Sequence, residues 1–305
     1  MNYIVNLLEL SGLNILLALS VYATFKIGQF SLAQVGFWAI GANLAGMLTA
    51  LWGVPLLPAL AAGGIVCGVI GAALSYPCLR IRGIYLTLAT VAFLELVRVF
   101  FHNFEFIVTR AGVPVGPAGA QGFRGIPLLA TWVEILVAVI VFAGLFVWLE
   151  RSRLGLSVQS IREDETAAAC MGIPVVRLKV GMFVLGAFIA GVGGGLYATY
   201  TTFVTSENFG FHLALISIFF VTVGGSERVA GPILGAVVLT ILPEALRFVG
   251  DLRMVVYGAL VLVLMVAFPR GVIDEIWHRR EARAAQTAPV VATTPAAATQ
   301  DGARA

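Results

Sequence analysis

Nine hydrophobic stretches constrain this chain more than any other feature, because most of them are long enough to cross a bilayer as a helix. Each crossing requires about 20 apolar residues. Hydrophobic residues make up 60% of the chain and charged residues only 11%, whereas soluble domains carry about 25% charged residues. The stretches lie at about 4–25, 30–51, 55–76, 84–102, 131–149, 179–203, 211–226, 231–249 and 252–269. The sequence therefore predicts an all-α, polytopic integral membrane helical bundle with about nine transmembrane helices.

The distribution of Lys and Arg predicts the orientation of these spans, because basic residues accumulate in short cytoplasmic loops. With the N-terminus outside, thirteen basic residues fall on the inner side and five on the outer side. The inner set is Lys26, Arg80, Arg82, Arg151, Arg153, Arg162, Arg177, Lys179, Arg228, Arg270, Arg279, Arg280 and Arg283. The outer set is Arg98, Arg110, Arg124, Arg247 and Arg253. Nine spans then place the C-terminus in the cytoplasm.

The two termini have different characters. The first stretch lacks the basic segment that opens a signal peptide, since the first basic residue is Lys26, so we expect a permanent span. Beyond residue 280 the chain is rich in Ala, Thr and Pro and shows no periodicity, which is typical of disorder. We expect a transmembrane domain at 1–280 and a disordered cytoplasmic tail at 281–305.

Several functional motifs are missing from the sequence. The only lysines, Lys26 and Lys179, do not belong to a phosphate-binding GxxxxGK[ST] loop. The three histidines are far apart and lack the spacing of metal ligands. No catalytic constellation and no basic stripe interleaved with aromatic residues is found. We therefore expect no catalytic residue, no metal, no other cofactor and no nucleic-acid partner.

A polar segment precedes the second stretch. It contains Gly28, Gln29, Ser31 and Gln34. Polar groups at membrane depth are tolerated where they line protein or a watery cavity, so one hypothesis is a broken helix on the path of a substrate, with free N–H groups facing a carboxylate. The alternative is an ordinary cytoplasmic turn with a serine cap. The sequence leaves both open.

Two charge pairs lie near the outer ends of spans. Glu95 and Arg98, and likewise Glu244 and Arg247, are three residues apart and so share a helix face. The simpler interpretation is a self-neutralised pair at the membrane interface. The alternative is a polar patch at the mouth of a pore.

The charged inner loop, at about 150–178, carries helix signals. Ser160 and Glu163 match a capping box, while Gly172 and Pro174 match a helix end. The pattern predicts a helix of about 11 residues at 161–171 in a cytoplasmic loop. Such a helix is either a binding element for a soluble partner or a surface helix on the membrane.

Five segments resemble the permeases of the branched-chain amino acid type of ABC importer, and within them the LivM-like branch. The inner-loop segment is the most specific, because charge, alanine and glycine recur at fixed offsets. The resemblance covers nearly the whole chain except the tail. Its segments are Gly28 to Leu32 with Gly41 and Ala42; Arg80 to Leu86; Arg162 to Glu165 through Ala168 to Ile173; Gly224, Gly225, Gly231, Pro232 and Gly235; and Phe268 to Gly271.

The resemblance implies a permease subunit in the bacterial inner membrane. It also implies, as partners, a second permease subunit, two cytoplasmic ATP-binding subunits that hydrolyse ATP, a periplasmic solute-binding protein and membrane lipid. Glu165 to Gly172 resembles the loop that binds the ATPase. The predicted coupling loop is thus Arg162, Glu163, Asp164, Glu165, Ala168 and Gly172, and the possible translocation path is Gly28, Gln29, Ser31 and Gln34.

The implied substrate is a branched-chain or related amino acid, or a similar small polar solute. Ala33 and Asn43 depart from the family pattern, which often has glycine and an aromatic residue there, so amides, urea or aromatic acids stay open. The alternative function is a self-sufficient secondary transporter or channel. That function would use buried mid-span charges, for which only Glu9 and Glu95 are candidates.

Overall fold

The computed structural model describes residues 2–78, 81, 83–110, 113–246, 252–269, 271–275 and 277. Some sequence predictions fall outside these residues, namely those on Arg80, Arg82, Arg247, Arg270 and the tail 281–305. The described part is dominated by α-helices, as predicted. They are α1 (Asn2–Lys26), α2 (Ala33–Trp52), α3 (Leu56–Cys78), α4 (Ile84–Asn103), α5 (Trp132–Arg151), α6 (Arg153–Glu163), α7 (Glu165–Cys170), α8 (Val175–Thr201), α9 (Phe211–Gly224), α10 (Ala230–Ala245) and α11 (Arg253–Ala267).

Every one of the nine hydrophobic stretches contains a helix, but the helices differ in length. Seven segments of the described chain are long and apolar enough to cross a membrane, the last of them being Arg253–Glu275. Helices α9 and α10 have only 14 and 16 residues, so at about 1.5 Å per residue they fall short of the roughly 30 Å hydrocarbon core. The sequence pattern counted adjoining loop residues, such as those around Gly225, as part of these two spans.

The centre of the bundle is α8, which packs against α1, α2 and α3. Glycines allow these helices to approach closely. A side chain at Gly41 would overlap the carbonyl oxygen of Gly191, and one at Gly194 would overlap that of Trp38. Such contacts drive helix association in lipid, where packing replaces the hydrophobic effect.

One end of the bundle is covered by the long loop between α4 and α5. This loop contains the strands β1 (Val108–Arg110), β2 (Val113–Pro117) and β3 (Phe123–Arg124), which form an antiparallel sheet in the order β1-β2-β3. Phe123 exchanges backbone hydrogen bonds of 2.7 and 3.3 Å with Val204, in the loop between α8 and α9. Both loops were assigned to the outer side by the predicted topology, and the structure places them together.

The opposite end holds the turn 27–32, the helices α6 and α7, the turn 225–229 and the residues 271–275. All of these were assigned to the inner side. Helices α9 and α10 follow one another along the chain. If neither crosses the membrane, two crossings are removed together, so every loop outside this pair stays on its predicted side. Contacts at this end define the candidate functional site.

Candidate functional site

The predicted helix 161–171 is two helices in the structure, and the predicted cap at Ser160 is wrong. Helix α6 begins after Ser152, whose Oγ accepts a hydrogen bond of 3.3 Å from the Gly155 N–H. Ser160 lies inside α6, where its hydroxyl donates to the carbonyl of Leu156 at 3.0 Å. A serine whose preceding turn is already helical bonds back to that turn and so does not cap a new helix. Glu163 accordingly ends α6.

Asp164 begins the second helix, α7. Its Oδ1 accepts hydrogen bonds from the N–H groups of Thr166 and Ala167 at 2.8 and 3.0 Å. A carboxylate at this position satisfies two amide groups that the first turn of a helix leaves unpaired and also suits the helix dipole. Asp164 therefore separates α6 from α7 with a single extended residue, at φ −151°.

Gly172 ends α7 as predicted, in the left-handed conformation at φ +79°. The N–H of Ile173 donates to the carbonyl of Ala168 at 3.1 Å, and that of Gly172 to Ala169 at 3.0 Å. These two bonds form a Schellman motif, which satisfies carbonyls that the last turn would leave unpaired. The chain then turns sharply into α8.

The remaining residues of the predicted coupling loop divide between the surface and contacts with α8. Glu163 is exposed, whereas Ala168 is buried. Glu165 Oε2 lies 2.7 Å from Lys179 Nζ, in the first turns of α8. Met171 is 83% exposed at the tip of the segment. Helix α7 is thus fixed to α8 on one side and open on the other.

The polar segment forms a turn between two helices, and its last residue, Gln34, lies in the first turn of α2. Helix α1 ends at Lys26 and α2 begins at Ala33. Gly28 has φ +78°, and a side chain there would lie 3.7 Å from the Cα of Arg162. The structure thus brings the predicted path segment against the predicted coupling loop. The Oγ of Ser31 accepts a hydrogen bond of 3.3 Å from the Ala33 N–H.

Two glutamines of this segment are buried with unpaired polar atoms. Gln29 is 7% exposed and Gln34 is fully buried. Within the described part of the chain, Oε1 of Gln29 and both amide atoms of Gln34 have no hydrogen-bond partner. Buried polar groups are nearly always hydrogen-bonded, so these atoms are the ones a water molecule or a ligand would satisfy.

Charged residues from distant parts of the chain meet beside this turn. Lys26 Nζ lies 3.0 Å from Glu150 Oε1, and the hydroxyl of Tyr22 donates to the same oxygen at 2.5 Å. The N–H of Val229 also donates to it, at 3.1 Å. Lys26 donates in addition to the carbonyl of Glu227. The sequence analysis missed this cluster, although a lysine and a glutamate at the inner ends of two spans were a signal for it.

The turn 225–229 receives further contacts from other elements. The guanidinium of Arg162 donates to the carbonyl of Ser226 at 3.0 Å and to its Oγ at 2.8 Å. Asp274 Oδ2 accepts a hydrogen bond of 2.9 Å from the Glu227 N–H. The guanidinium of Arg228 lies 4.0 Å from the centre of the Trp277 ring. These contacts join the inner loop, the α9–α10 hairpin and the residues after α11.

The predicted pair on α4 is confirmed, since Arg98 Nε lies 2.7 Å from Glu95 Oε2. Both side chains are more than one third exposed, on a helix whose neighbours Leu96 and Val99 are exposed as well. For the second predicted pair, Arg247 lies outside the described residues. The pair on α4 belongs to the half of the bundle opposite the charged cluster.

A helical bundle in which seven segments of the described chain are long and apolar enough to cross a membrane is a polytopic membrane protein. The profile of the family described as branched-chain amino acid transport system, permease component, matches residues 3–265. The chain belongs to this family, and the resemblance noted in the sequence is confirmed.

Relatives agree with this assignment. The chain is 29% identical over 287 residues to the high-affinity branched-chain amino acid transport system permease protein LivM of Salmonella typhimurium LT2, covering 86% of this chain. It is 28% identical to LivM of Escherichia coli K12 over a similar range. The chain spans 66% of the length of these two relatives. It is 26% identical to the probable permease protein LivH of Methanocaldococcus jannaschii, with 88% of this chain and 91% of LivH covered. No solved structure matches the chain significantly.

Proposed function

We propose that this chain is the membrane-spanning permease subunit of an ATP-driven importer that moves branched-chain or related amino acids, or a similar small polar solute, inward. The family match over residues 3–265 carries the proposal. Two LivM relatives are named as permeases of a high-affinity branched-chain amino acid transport system. The chain contains no P-loop, so ATP hydrolysis belongs to separate subunits.

The proposed complex contains a second permease subunit, two cytoplasmic ATP-binding subunits and a periplasmic solute-binding protein, in the bacterial inner membrane. The N-terminus lies outside and the C-terminus in the cytoplasm. The excess of basic residues in loops that share one end of the bundle supports this orientation. The proposed permease domain comprises 1–280.

The loop from Arg162 to Gly172 is the proposed binding element for the ATPase. Asp164 and Gly172 set where α7 begins and ends, Glu165 pairs with Lys179 on α8, and Ala168 is buried. This leaves Glu163 and the apolar tip of the segment on the open side. A short, well-capped helix that is fixed on one side and exposed on the other suits insertion into a cleft of a partner.

The polar segment with Gly28, Gln29, Ser31 and Gln34, which spans the turn and the first residues of α2, is the proposed contribution to the translocation path. Its support is the set of buried glutamine atoms without a partner among the described residues. Amide groups of this kind can bind both the carboxylate and the ammonium group of an amino acid, because each amide has donors and an acceptor.

The test is uptake by reconstituted vesicles. The chain is reconstituted alone and together with its partner subunits, and uptake of a radiolabelled branched-chain amino acid is measured with and without ATP. We expect uptake only with the partners, the binding protein and ATP. Specific uptake by the chain alone, driven by an ion gradient, would favour the secondary-transporter alternative, for which the buried Glu9 would then be the first candidate.

A further inference from the structure

The turn 225–229 is held by side chains from four separate parts of the chain. Arg162 comes from α6, Lys26 from the end of α1, Glu150 from the end of α5 and Asp274 from the segment after α11. All four of these side chains bind backbone atoms of the turn, so they fix its path whatever the side chains of the turn are. A surface turn between two helices ordinarily has no need of this many anchors.

The turn is also rigidly joined to the helices on both sides. A side chain at Gly224 would overlap the carbonyl of Gly231, and one at Gly235 would overlap that of Phe220. Helices α9 and α10 therefore approach to backbone contact directly next to the turn. Gly271 packs against Gly225 in the same manner. A displacement of the turn must move the hairpin as one body, because packed interiors of this kind do not deform continuously.

Arg162 connects this hairpin to the proposed ATPase-binding loop. It lies two residues before Asp164, the cap that begins α7, and its guanidinium makes two hydrogen bonds to one residue, Ser226. A planar guanidinium that binds through two N–H groups fixes direction as well as distance. The loop has a second connection, from Glu165 to Lys179 on α8. The loop thus contacts two different membrane elements through two different side chains.

We propose that Arg162 is a positioning residue that transmits movement of the α6–α7 loop to the α9–α10 hairpin through Ser226. Movement of the loop then displaces α8 and the α9–α10 hairpin together. The hairpin is therefore a moving part of the permease, although neither of its helices is long enough for a full span. This inference rests on the proposed function, because it assigns the route by which ATP-driven movement enters the bundle.

The test compares replacements on one helix. Arg162→Ala removes both hydrogen bonds to Ser226. Arg162→Lys keeps the positive charge but cannot donate two parallel N–H bonds as a guanidinium does. Arg153→Ala is the matched control on the exposed start of α6. We expect Arg162→Ala to lower substrate transported per ATP hydrolysed by roughly tenfold, because both charge-assisted hydrogen bonds to Ser226 are lost. Arg162→Lys should be intermediate and Arg153→Ala unchanged. Co-purification with the ATPase should survive in all three.

A covalent link between positions 162 and 226 distinguishes transmission of movement through this contact from a general structural effect of losing Arg162. The native thiols of Cys67, Cys78 and Cys170 are first replaced by alanine, and Arg162→Cys and Ser226→Cys are then combined. We expect the double variant to be uncoupled when reduced and to regain transport when a short bifunctional thiol reagent joins the two positions. A purely structural role of Arg162 would not give this reversible rescue.

The wild-type complex separates failure of this inference from failure of the proposed function. If wild-type vesicles show no ATP-dependent uptake, the proposed function is wrong. If they do and Arg162→Ala keeps full coupling, only the transmission route is wrong. The route is also wrong if the covalent link abolishes transport, because α6 and the turn must then separate during the cycle.

Discussion

Lys26 Nζ lies 3.0 Å from Oε1 of Glu150, although 124 residues separate the two. The pair joins the end of α1 to the end of α5, and both side chains also form hydrogen bonds with the turn between α9 and α10. Its side chains are only 11% and 24% exposed. The contact therefore joins the ends of α1 and α5 to the turn between α9 and α10.

Lys26→Met should destabilise the protein, because it leaves Glu150 partly buried without a cation. Breaking a fully buried pair costs about 3–5 kcal/mol, and we expect about half of that here, where solvent reaches the pair. Thermal unfolding in detergent is the measurement. The control combines Lys26→Met with Glu150→Gln, which removes the unpaired charge and should recover part of the loss. An unchanged melting temperature in Lys26→Met would show that the pair contributes nothing.

Asp164→Ala should loosen the first turn of α7, since the loss of an N-cap costs about 0.5–2 kcal/mol. Faster hydrogen exchange at residues 165–170 and weaker stimulation of the ATPase are the expected results. Asp164→Asn should retain most of the cap. Ser160→Ala is the matched control, because Ser160 lies inside α6 and caps nothing. Equal effects of Ser160→Ala and Asp164→Ala would contradict the assignment of the cap.

Gly172→Val should misdirect the chain between α7 and α8. The residue has φ +79° and no atom lies within 4 Å of a side chain placed there, so the cost of about 1–2 kcal/mol or more is conformational and not steric. Gly172→Asn should be milder, because asparagine tolerates this conformation. Both variants should insert into the membrane, and transport should fall in the order wild type, Asn, Val. Full transport by the valine variant would contradict the requirement for a left-handed residue at position 172.

Glu165→Lys should lose coupling to the ATPase, because repulsion from Lys179 replaces the ion pair that holds α7 on α8. The Glu165 side chain is 43% exposed and that of Lys179 15%, and an ion pair that solvent reaches contributes about 1 kcal/mol or less to stability, so membrane insertion should be normal. The double variant Glu165→Lys with Lys179→Glu restores the attraction and should regain part of the ATPase stimulation. If Glu165→Lys retains full assembly and coupling, α7 is only a surface helix on the membrane.

The orientation can be tested with single cysteines in a variant without native thiols. Gln121 lies near the β-sheet at one end, while Ala167 and Ala230 lie at the other, and all three are exposed. Membrane-impermeant thiol reagents should label position 121 from outside and positions 167 and 230 only after the membrane is opened. Labelling of 121 and 167 from the same side would contradict the topology. Labelling of 230 from outside would place the α9–α10 turn on the wrong side.

The sequence predicted those features that depend on neighbouring residues. The apolar stretches predicted where the helices lie, and Gly172 with Pro174 predicted the end of α7, because each signal is contained in one continuous segment of chain. The capping box at Ser160 failed for a related reason. Its residues were correct for a helix start, but the chain before Ser160 was already helical, and Asp164 offered a better acceptor at the real boundary.

The tertiary structure alone decided which distant segments meet. Three segments that carry the family resemblance converge at one place: Arg162 binds Ser226 beside the paired glycines, and Gly271 packs on Gly225. The sequence placed them on the same side of the membrane by charge, but no local rule connects positions so far apart. Their contact depends on how α1, α5, α9 and α10 pack in three dimensions, and this packing sets which carboxylate, guanidinium and backbone groups are left to pair with one another.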